Sequence, residues 1–375
     1  MNPHEFLRLN AACAASPTRF CISLDEGDPD DPFSIILSYD GRFDQPWSRT
    51  NAPRKIVAIE VLKESSGTVS YAAISDEGDI YVIDDTEVRY EKIAGAGLYS
   101  EDSVGYGPIS GAAGEGNHMW VFGFGGQFYR LNSGGWQKID IEDEAVARFS
   151  IVGGQVDASG SGWFCGSVTP PLLVEDYKPD PTLNAQIDAA AAAGDLEKVM
   201  KLMDQLGNQM SGGSDGATEP LLLRNEAGSV NRVSIDEESV QLLTDIYVES
   251  PNRVWLIGSE GAVLFGNLES GFRMVPYAEQ INDVLISMDR FNDQYILASD
   301  FGLYTFDGHK MDRLKPKLPS SSVNQNTPNP LSIKSVGEVL MYFDQKHGVC
   351  RWDGETWDWI DIPDALLERD FKGLP

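Results

Sequence analysis

The 375-residue chain has few of the residues that build metal or redox sites, with only four cysteines and four histidines. The cysteines form no C-x-x-C pair, and the histidines form no H-x-H or H-x-x-x-H pair. This spacing argues against a disulfide framework and a histidine-built metal site, and it favours buried thiols in a reducing compartment. Fingerprints of nucleotide binding and serine hydrolysis are also missing from any strand–turn–helix setting. We therefore expect no catalytic residue set, no cofactor and no metal.

Positively charged residues are also few. The sequence has 29 Lys plus Arg against 58 Asp plus Glu, which gives a formal net charge of -29. Nucleic acids and anionic membranes bind positively charged proteins more strongly. The acidic composition therefore argues against both as partners and permits a basic protein partner. The simpler explanation is that an acidic surface keeps an aromatic-rich protein in solution.

Long apolar runs are absent as well. No run approaches the roughly 18 apolar residues that a transmembrane helix needs. The N-terminal residues MNPHEFLRLNAACAASP include Glu5 and lack a continuous apolar core. We therefore predict neither a membrane span nor a secretory signal, and we expect a cytoplasmic protein.

What the sequence does contain is a pattern of short apolar runs separated by glycine turns. Residues 118–140 read HMWVFGFGGQFYRLNSGGWQKID. They divide into three runs, which predicts a three-stranded antiparallel meander. One meander cannot bury its own apolar face, so a structural unit of this kind should recur.

The pattern recurs seven times along the chain. In six copies the first-turn glycines are separated by 51, 48, 135, 41 and 46 residues, and these glycines are Gly27, Gly78, Gly126, Gly261, Gly302 and Gly348. The long gap holds an interrupted fourth copy at residues 162–166. Without an insertion of about 50 residues the period becomes about 40 to 50 residues, as in a propeller blade. Four intervals also show a further strand ahead of the three, at residues 56–62, 243–248, 284–288 and 331–336.

These repeats predict an all-β fold. Four antiparallel strands per repeat close radially, because closure removes most exposed sheet edges. We predict one β-propeller domain over residues 1–375, with seven four-stranded blades and a helical-hairpin insertion in the fourth. Two tandem β-sandwiches, or a six-bladed ring with an N-terminal extension, are the alternatives. Large rings should fill the wedges between blades at equivalent strand positions, namely Trp120, Trp163 and Trp255.

The order W-hydrophobic-hydrophobic-G, a turn, a hydrophobic strand, then D-G or G-G and an aromatic residue, is seen at residues 119–136, 254–272 and 340–357. It resembles the Kelch-like and BNR-like β-propellers. This resemblance implies a fold and no particular activity. No catalytic residues are carried over from it.

The insertion covers residues 171–219. Residues 181–193 and 196–206 have apolar side chains at helical spacing, and Asp195 can cap the second helix. The hairpin is either an elaboration packed on its own blade or a docking element. An adaptable apolar docking surface would use methionines. We predict this surface from the residues Leu196, Met200, Met203 and Met210.

The acidic run Glu142, Asp143 and Glu144 lies between two repeats and completes the predicted partner-binding set. The leading hypothesis is a non-catalytic protein-binding propeller, in which acidic groups speed association with a basic partner. A bacterial cytoplasmic immunity protein that neutralises a basic toxin would fit. The alternatives are a carboxylate-dependent glycan hydrolase or lyase acting in the central opening, and a structural subunit of a larger assembly.

Overall fold

A computed structural model of the chain describes residues 7–28, 32–63, 68–99, 103, 107–141, 149–169, 218–226, 228–235, 240–278, 281–319 and 327–368, together with residues 186, 190, 198–199 and 201–202. The statements below concern these residues.

The described strands form seven four-stranded antiparallel sheets, each made of consecutive strands. The strands of blades 1 to 4 are β1 (Arg8–Ser16), β2 (Arg19–Asp25), β3 (Ser34–Asp40), β4 (Trp47–Ala52); β5 (Ile56–Lys63), β6 (Val69–Ser75), β7 (Asp79–Ile83), β8 (Val88–Lys92); β9 (Ile109–Glu115), β10 (His118–Gly123), β11 (Phe128–Asn132), β12 (Gly135–Lys138); and β13 (Phe149–Val156), β14 (Gly162–Val168), β15 (Glu219–Glu226), β16 (Ser229–Arg232). Those of blades 5 to 7 are β17 (Leu243–Ser250), β18 (Arg253–Gly258), β19 (Val263–Asn267), β20 (Gly271–Met274); β21 (Leu285–Phe291), β22 (Gln294–Ser299), β23 (Gly302–Phe306), β24 (Met311–Leu314); and β25 (Pro330–Val336), β26 (Val339–Asp344), β27 (Gly348–Trp352), β28 (Trp357–Ile360). Two short 3₁₀ turns, Ser259–Gly261 and Asp364–Leu366, complete the described regular structure.

The first strand of each blade is innermost and contacts the first strands of both neighbouring blades. β25 of blade 7 contacts β1 of blade 1, so the ring is closed. The prediction of a seven-bladed propeller with four-stranded blades is confirmed, and the tandem sandwiches and the six-bladed ring are wrong. The seam joins a blade built only from β1–β4 to one built only from β25–β28.

The two faces of the ring carry different loops. We call the face with the blade-to-blade connections and the turns between second and third strands the connection face. The hairpin face carries the other turns within blades. Backbone hydrogen bonds tie the connection face together: Asp76 N donates to Lys55 O in blade 2, and Ile109 N of blade 3 donates to Asp76 O. At the seam, Leu9 N donates to Gln345 O.

Apolar side chains fill the space between blades. Each of the seven pairs of neighbouring blades shares one buried cluster. Trp120, Trp163 and Trp255 are buried in these clusters, as predicted. The seam cluster of blades 7 and 1 also takes up Leu367, beyond the last strand.

The glycine that follows each of these tryptophans by three residues has a packing reason. A Cβ atom on Gly166 would lie 1.8 Å from the backbone oxygen of Ser150, on the innermost strand. The equivalent Gly123 and Gly258 would meet backbone oxygens at 2.4 and 2.1 Å. The glycine of the W-x-x-G repeat is therefore required because the backbones of the first and second strands lie too close together for a side chain at this position.

The sequence patterns miss the innermost strands β1, β9 and β13. Their sequences RLNAACAAS, ISGAAGE and FSIVGGQV are rich in alanine and glycine, which have low strand propensity. At some of these positions a neighbouring blade leaves no space for a side chain. A Cβ atom on Gly153, for example, would lie 2.5 Å from the backbone oxygen of Thr244 in blade 5.

The predicted helical hairpin at residues 171–219 lies mostly outside the described residues. Among those described, Gln186, Ala190, Val199 and Leu202 are helical, and Ala190 packs with Leu202 and Val199. No complete α-helix occurs in the described part of the chain. The hairpin therefore stays a prediction, although the strands that flank the segment, β14 and β15, end and begin at the connection face.

Candidate functional site

The connection face carries a cleft between blades 1 and 2, with a volume of about 470 Å³. We call it the acidic cleft. Its lining includes five carboxyl groups and two basic side chains, and the lining residues are Asp25, Glu26, Gly27, Asp28, Pro32, Phe33, Arg54, Lys55, Asp76, Glu77 and Tyr99. The turn between β2 and β3 supplies one wall, and the turn between β6 and β7 supplies another.

Glu77 builds the rim of the acidic cleft. The residue is buried, and its carboxylate accepts hydrogen bonds from Leu98 N at 3.1 Å and Tyr99 N at 2.9 Å. These bonds fix the connection that follows β8 and present the Tyr99 ring, which is 80% exposed. Gly78, with φ +81°, makes the turn possible and lies against Ala96 of the same connection.

Enclosure raises the pKa values of two carboxyls of the cleft, those of Asp76 and Asp25. Burial, with the Glu77 charge beside it, raises the pKa of Asp76 to about 6. Asp76 Oδ1 is buried without a hydrogen-bond partner among the described residues. Burial also raises the pKa of Asp25, although Asn10 Nδ2 donates to its Oδ2 at 2.7 Å. An incoming cation would relieve these costs, because opposite charge favours the ionised carboxylate.

Large apolar side chains are exposed on the same face. Tyr99 and Leu98 project from the blade 2–3 connection, while Phe124 and Phe301 project from turns between second and third strands. Exposed aromatic rings beside desolvated polar groups are typical of protein-binding surfaces. Acidic and aromatic groups therefore share the connection face.

The central channel carries a second group of acidic side chains. Side-chain oxygens of innermost strands accept backbone N–H bonds from the next blade, in the pairs Gln155–Val248 at 2.7 Å, Asp245–Met288 at 3.0 Å and Asp289–Ser335 at 2.8 Å. The inner strand is an edge strand, so its N–H groups need such acceptors. The channel carboxylates thus link the blades.

Lys334 introduces a positive charge among these groups. Its Nζ lies 3.9 Å from Asp289 Oδ2, beside a cavity of about 380 Å³ at the hairpin-face end of the channel. Enclosure raises the pKa of Glu60 to about 8 and that of Asp245 to about 7, and Lys334 lowers both pKa values in part. Glu60 also accepts a backbone hydrogen bond from Gly114 of blade 3.

All seven residues of the predicted partner-binding set lie outside the described part of the chain: Leu196, Met200, Met203, Met210, Glu142, Asp143 and Glu144. The described strands on either side of both segments end or begin at the connection face. The sequence patterns do not identify the acidic cleft, because Asp76 and Glu77 lie in a turn between strands and Tyr99 lies in a connection without a pattern. The available signals are the acidic cluster of Asp25, Glu26 and Asp28 and an aromatic residue in a glycine-rich inter-blade connection.

Three further observations concern the described residues alone. No three His, Cys, Asp or Glu side chains converge there in a way that could hold a metal ion. No helix in the described ranges is long and apolar enough to cross a membrane. The four cysteines are all free thiols.

No protein-family model and no curated protein sequence matches the chain. Its structure is similar to YCF48 from Cyanidioschyzon merolae, with a TM-score of 0.54, 16% identity, and coverage of 92% of this chain and 94% of that one. It is also similar to the WD40 β-propeller domain of Doa1, with a TM-score of 0.54, 7% identity and 92% coverage of both chains. An extracellular domain from B. thetaiotaomicron, assigned to a two-component system, gives a TM-score of 0.55 at 14% identity, but the match spans only 38% of that chain. These likenesses agree with the geometry in showing that the chain is a β-propeller, and they show no finer family.

Proposed function

We propose that this protein is a non-catalytic binding propeller whose connection face takes a basic protein partner. The observation that carries the proposal is the acidic cleft: five carboxyls against two basic side chains, rimmed by the exposed ring of Tyr99. A lysine or arginine of a partner would compensate the crowded carboxyls, while Tyr99 would supply apolar contact area.

The net charge of -29 supports a basic partner. Long-range attraction speeds the encounter of oppositely charged proteins and disfavours wrong partners. Within this class we favour a bacterial cytoplasmic protein that neutralises or escorts a basic partner, as an immunity protein does for a toxin. The charge is the support for this finer assignment.

We include the segment 171–219 in the docking surface. Its flanking strands end at the connection face, and its predicted helical hairpin would present Leu196, Met200, Met203 and Met210 there. Methionine side chains adapt to irregular apolar partners. The described residues Ala190, Val199 and Leu202 pack together, as two helices of a hairpin would. YCF48, which has a similar fold, has been seen bound to a D1 peptide, so peptide binding by such a ring has a precedent.

We do not extend the proposal to glycan hydrolysis in the channel. The channel carboxylates Asp245 and Asp289 accept backbone hydrogen bonds from neighbouring blades, and this role accounts for their presence. Membership of a larger assembly is compatible with the same surface and would be recognised by a constitutive rather than a salt-sensitive complex.

The test is a pull-down from the native host followed by direct titration with the purified partner. We expect one basic protein whose affinity falls at least about tenfold between about 50 and about 300 mM salt, because screening shortens the reach of surface charge. Tyr99→Ala should weaken binding about tenfold or more. The double variant Glu26→Lys, Asp28→Lys should weaken binding further.

Matched controls lie on the hairpin face. Leu268 is exposed in the turn between β19 and β20, and Glu87 is exposed in the turn between β7 and β8, so Leu268→Ala and Glu87→Lys should leave affinity unchanged. Deleting residues 182–213 should reduce binding without unfolding the ring. Salt-independent binding would refute the electrostatic argument, and equal effects of the two sets of variants would refute the choice of face.

A further inference from the structure

A second pocket lies on the opposite, hairpin face, in the groove between blades 1 and 2. Its volume is about 280 Å³. The turn from β3 to β4 supplies Phe43 and Gln45, and β4 begins with Trp47. The turn between β7 and β8 supplies Asp84 and Asp85. This pocket is independent of the acidic cleft and of the function proposed for it.

A buried hydroxyl without a described partner lies next to this pocket. Tyr71, on β6, is among its lining residues and is only 4% exposed. Its hydroxyl has no hydrogen-bond partner among the described residues. Burial raises the pKa of Tyr71 well above its ordinary value, so the group is a neutral hydroxyl that can both donate and accept. Buried hydroxyls normally have partners. The Tyr71 hydroxyl is itself enclosed, so an occupant of the pocket would reach it after a shift of the pocket wall and would then supply the partner.

The charges around the pocket are already compensated within the protein. Arg19 Nε lies 3.0 Å from Asp40 Oδ2, and Arg19 Nη2 lies 2.9 Å from Asp85 Oδ1. Arg42 bonds both oxygens of Asp40, and this contact lowers the pKa of Asp40. Asp84 Oδ1 caps its own turn by accepting from Thr86 N and Thr86 Oγ1, each at 2.7 Å. A cationic ligand would therefore gain little from these carboxylates, which already have partners within the protein.

Its remaining groups are neutral and polar, set against aromatic rings. The Ser38 and Ser48 hydroxyls lie 2.5 Å apart and, with the Gln45 amide, can each donate and accept. Trp47 is fixed by edge-to-face contacts with Tyr39 at 4.9 Å and Phe20 at 5.6 Å. Phe43 is 55% exposed at the opening of the pocket.

We propose that this pocket binds a neutral polyhydroxylated ring, a single sugar residue that is either free or at the end of a glycan. Sugar hydroxyls donate and accept at once, which matches Tyr71, Ser38, Ser48 and Gln45. The apolar face of a sugar ring would lie against Phe43 or Trp47. The volume is at the small end of ligand pockets and suits one ring.

The probes are glucose, galactose, mannose and N-acetylglucosamine, each with its methyl glycoside, titrated into the full chain. Saturation-transfer NMR and tryptophan fluorescence report binding. We expect saturable binding of at least one sugar, weakened about tenfold by Phe43→Ala and about two- to tenfold by Tyr71→Phe, the range of one hydrogen bond. A sugar that binds only in its reducing form points to a free ligand, whereas equal binding of the methyl glycoside points to a glycan end.

Two controls show whether a loss of sugar binding is specific to this pocket. Phe301→Ala removes an exposed ring on the other face and should leave sugar binding unchanged. Tyr71→Phe keeps the ring, so a thermal transition that is not lowered shows that its binding loss is local. The proposal is overturned if no sugar in the panel binds saturably, if binding survives both pocket variants, or if arginine amide binds more tightly than every sugar.

Discussion

Replacing Asp245 by asparagine should remove the effect of pH on stability that this residue imposes. Enclosure at the channel wall, only partly offset by bonds from Ile246 N and Met288 N, raises the pKa of Asp245 from 3.8 to about 7. The folded state therefore holds a proton that the unfolded state releases. Its stabilising contribution is complete below the unfolded pKa and is lost as pH rises towards the folded pKa.

The size of the effect follows from the shift. A difference of about 3 pKa units corresponds to about 4 kcal/mol at 1.36 kcal/mol per unit. Asp245 keeps partial contact with the channel, so solvent reduces this figure and about 2–4 kcal/mol is expected. Asp245→Asn does not titrate and keeps one acceptor oxygen, at a loss of about 1 kcal/mol for the second bond. The variant should be slightly less stable than the parent at about pH 4 and more stable at about pH 8.

Urea unfolding followed by tryptophan fluorescence at several pH values measures this difference. Asp344 is the matched control. Burial opposes its ionisation, but hydrogen bonds from His347 and Tyr342 and from Asn329 N outweigh burial and lower the pKa of Asp344. Its contribution is therefore present above the unfolded pKa and lost on acidification, and Asp344→Asn should destabilise by about 3–5 kcal/mol near neutrality. Parallel pH curves for Asp245→Asn and the parent would refute the reasoning.

Three further substitutions test packing by the same unfolding measurement. Leu367→Ala empties a buried position of the seam cluster and should cost about 2–5 kcal/mol, whereas an effect below that of Leu366→Ala, at the edge of the cluster, would contradict the assignment. Gly166→Ala places a Cβ atom against Ser150 O and should cost more than about 4 kcal/mol or prevent folding, while Gly134→Ala in an exposed turn should be tolerated. Tyr71→Phe removes a hydroxyl without a described partner and should be neutral or stabilising by about 1 kcal/mol; a large loss would show that the hydroxyl has a structural bond.

The sequence predicts the outer three strands of a blade well, because their signals are local. Aspartate–glycine turns and the W-x-x-G spacing mark strand ends directly, as at Trp120 and Gly123. Blade count then follows from the period. The physical meaning of the glycine did not follow, since it depends on a backbone oxygen of another strand.

The innermost strands and the acidic cleft are harder to predict from the sequence, because they depend on residues far apart in the chain. β1 and β9 are rich in alanine and glycine, which have low strand propensity, so no local window marks them as strands. The acidic cleft depends on Glu77 reaching two amides more than twenty positions away. The spacing of apolar residues along the sequence does not reveal contacts of that range. The cleft is recognised only from the structure, in which blades 1 and 2 lie side by side.

The seam between blades 7 and 1 has a consequence for the order of folding. Every blade is a continuous segment, so most of its pairings form between strands close in sequence. The seam instead joins Arg351 Nε to Pro17 O and Arg49 to Leu366 O, across separations of 334 and 317 residues. Closing so long a loop costs chain entropy that only the complete seam cluster offsets. We therefore expect the blades to form one after another and the ring to close last.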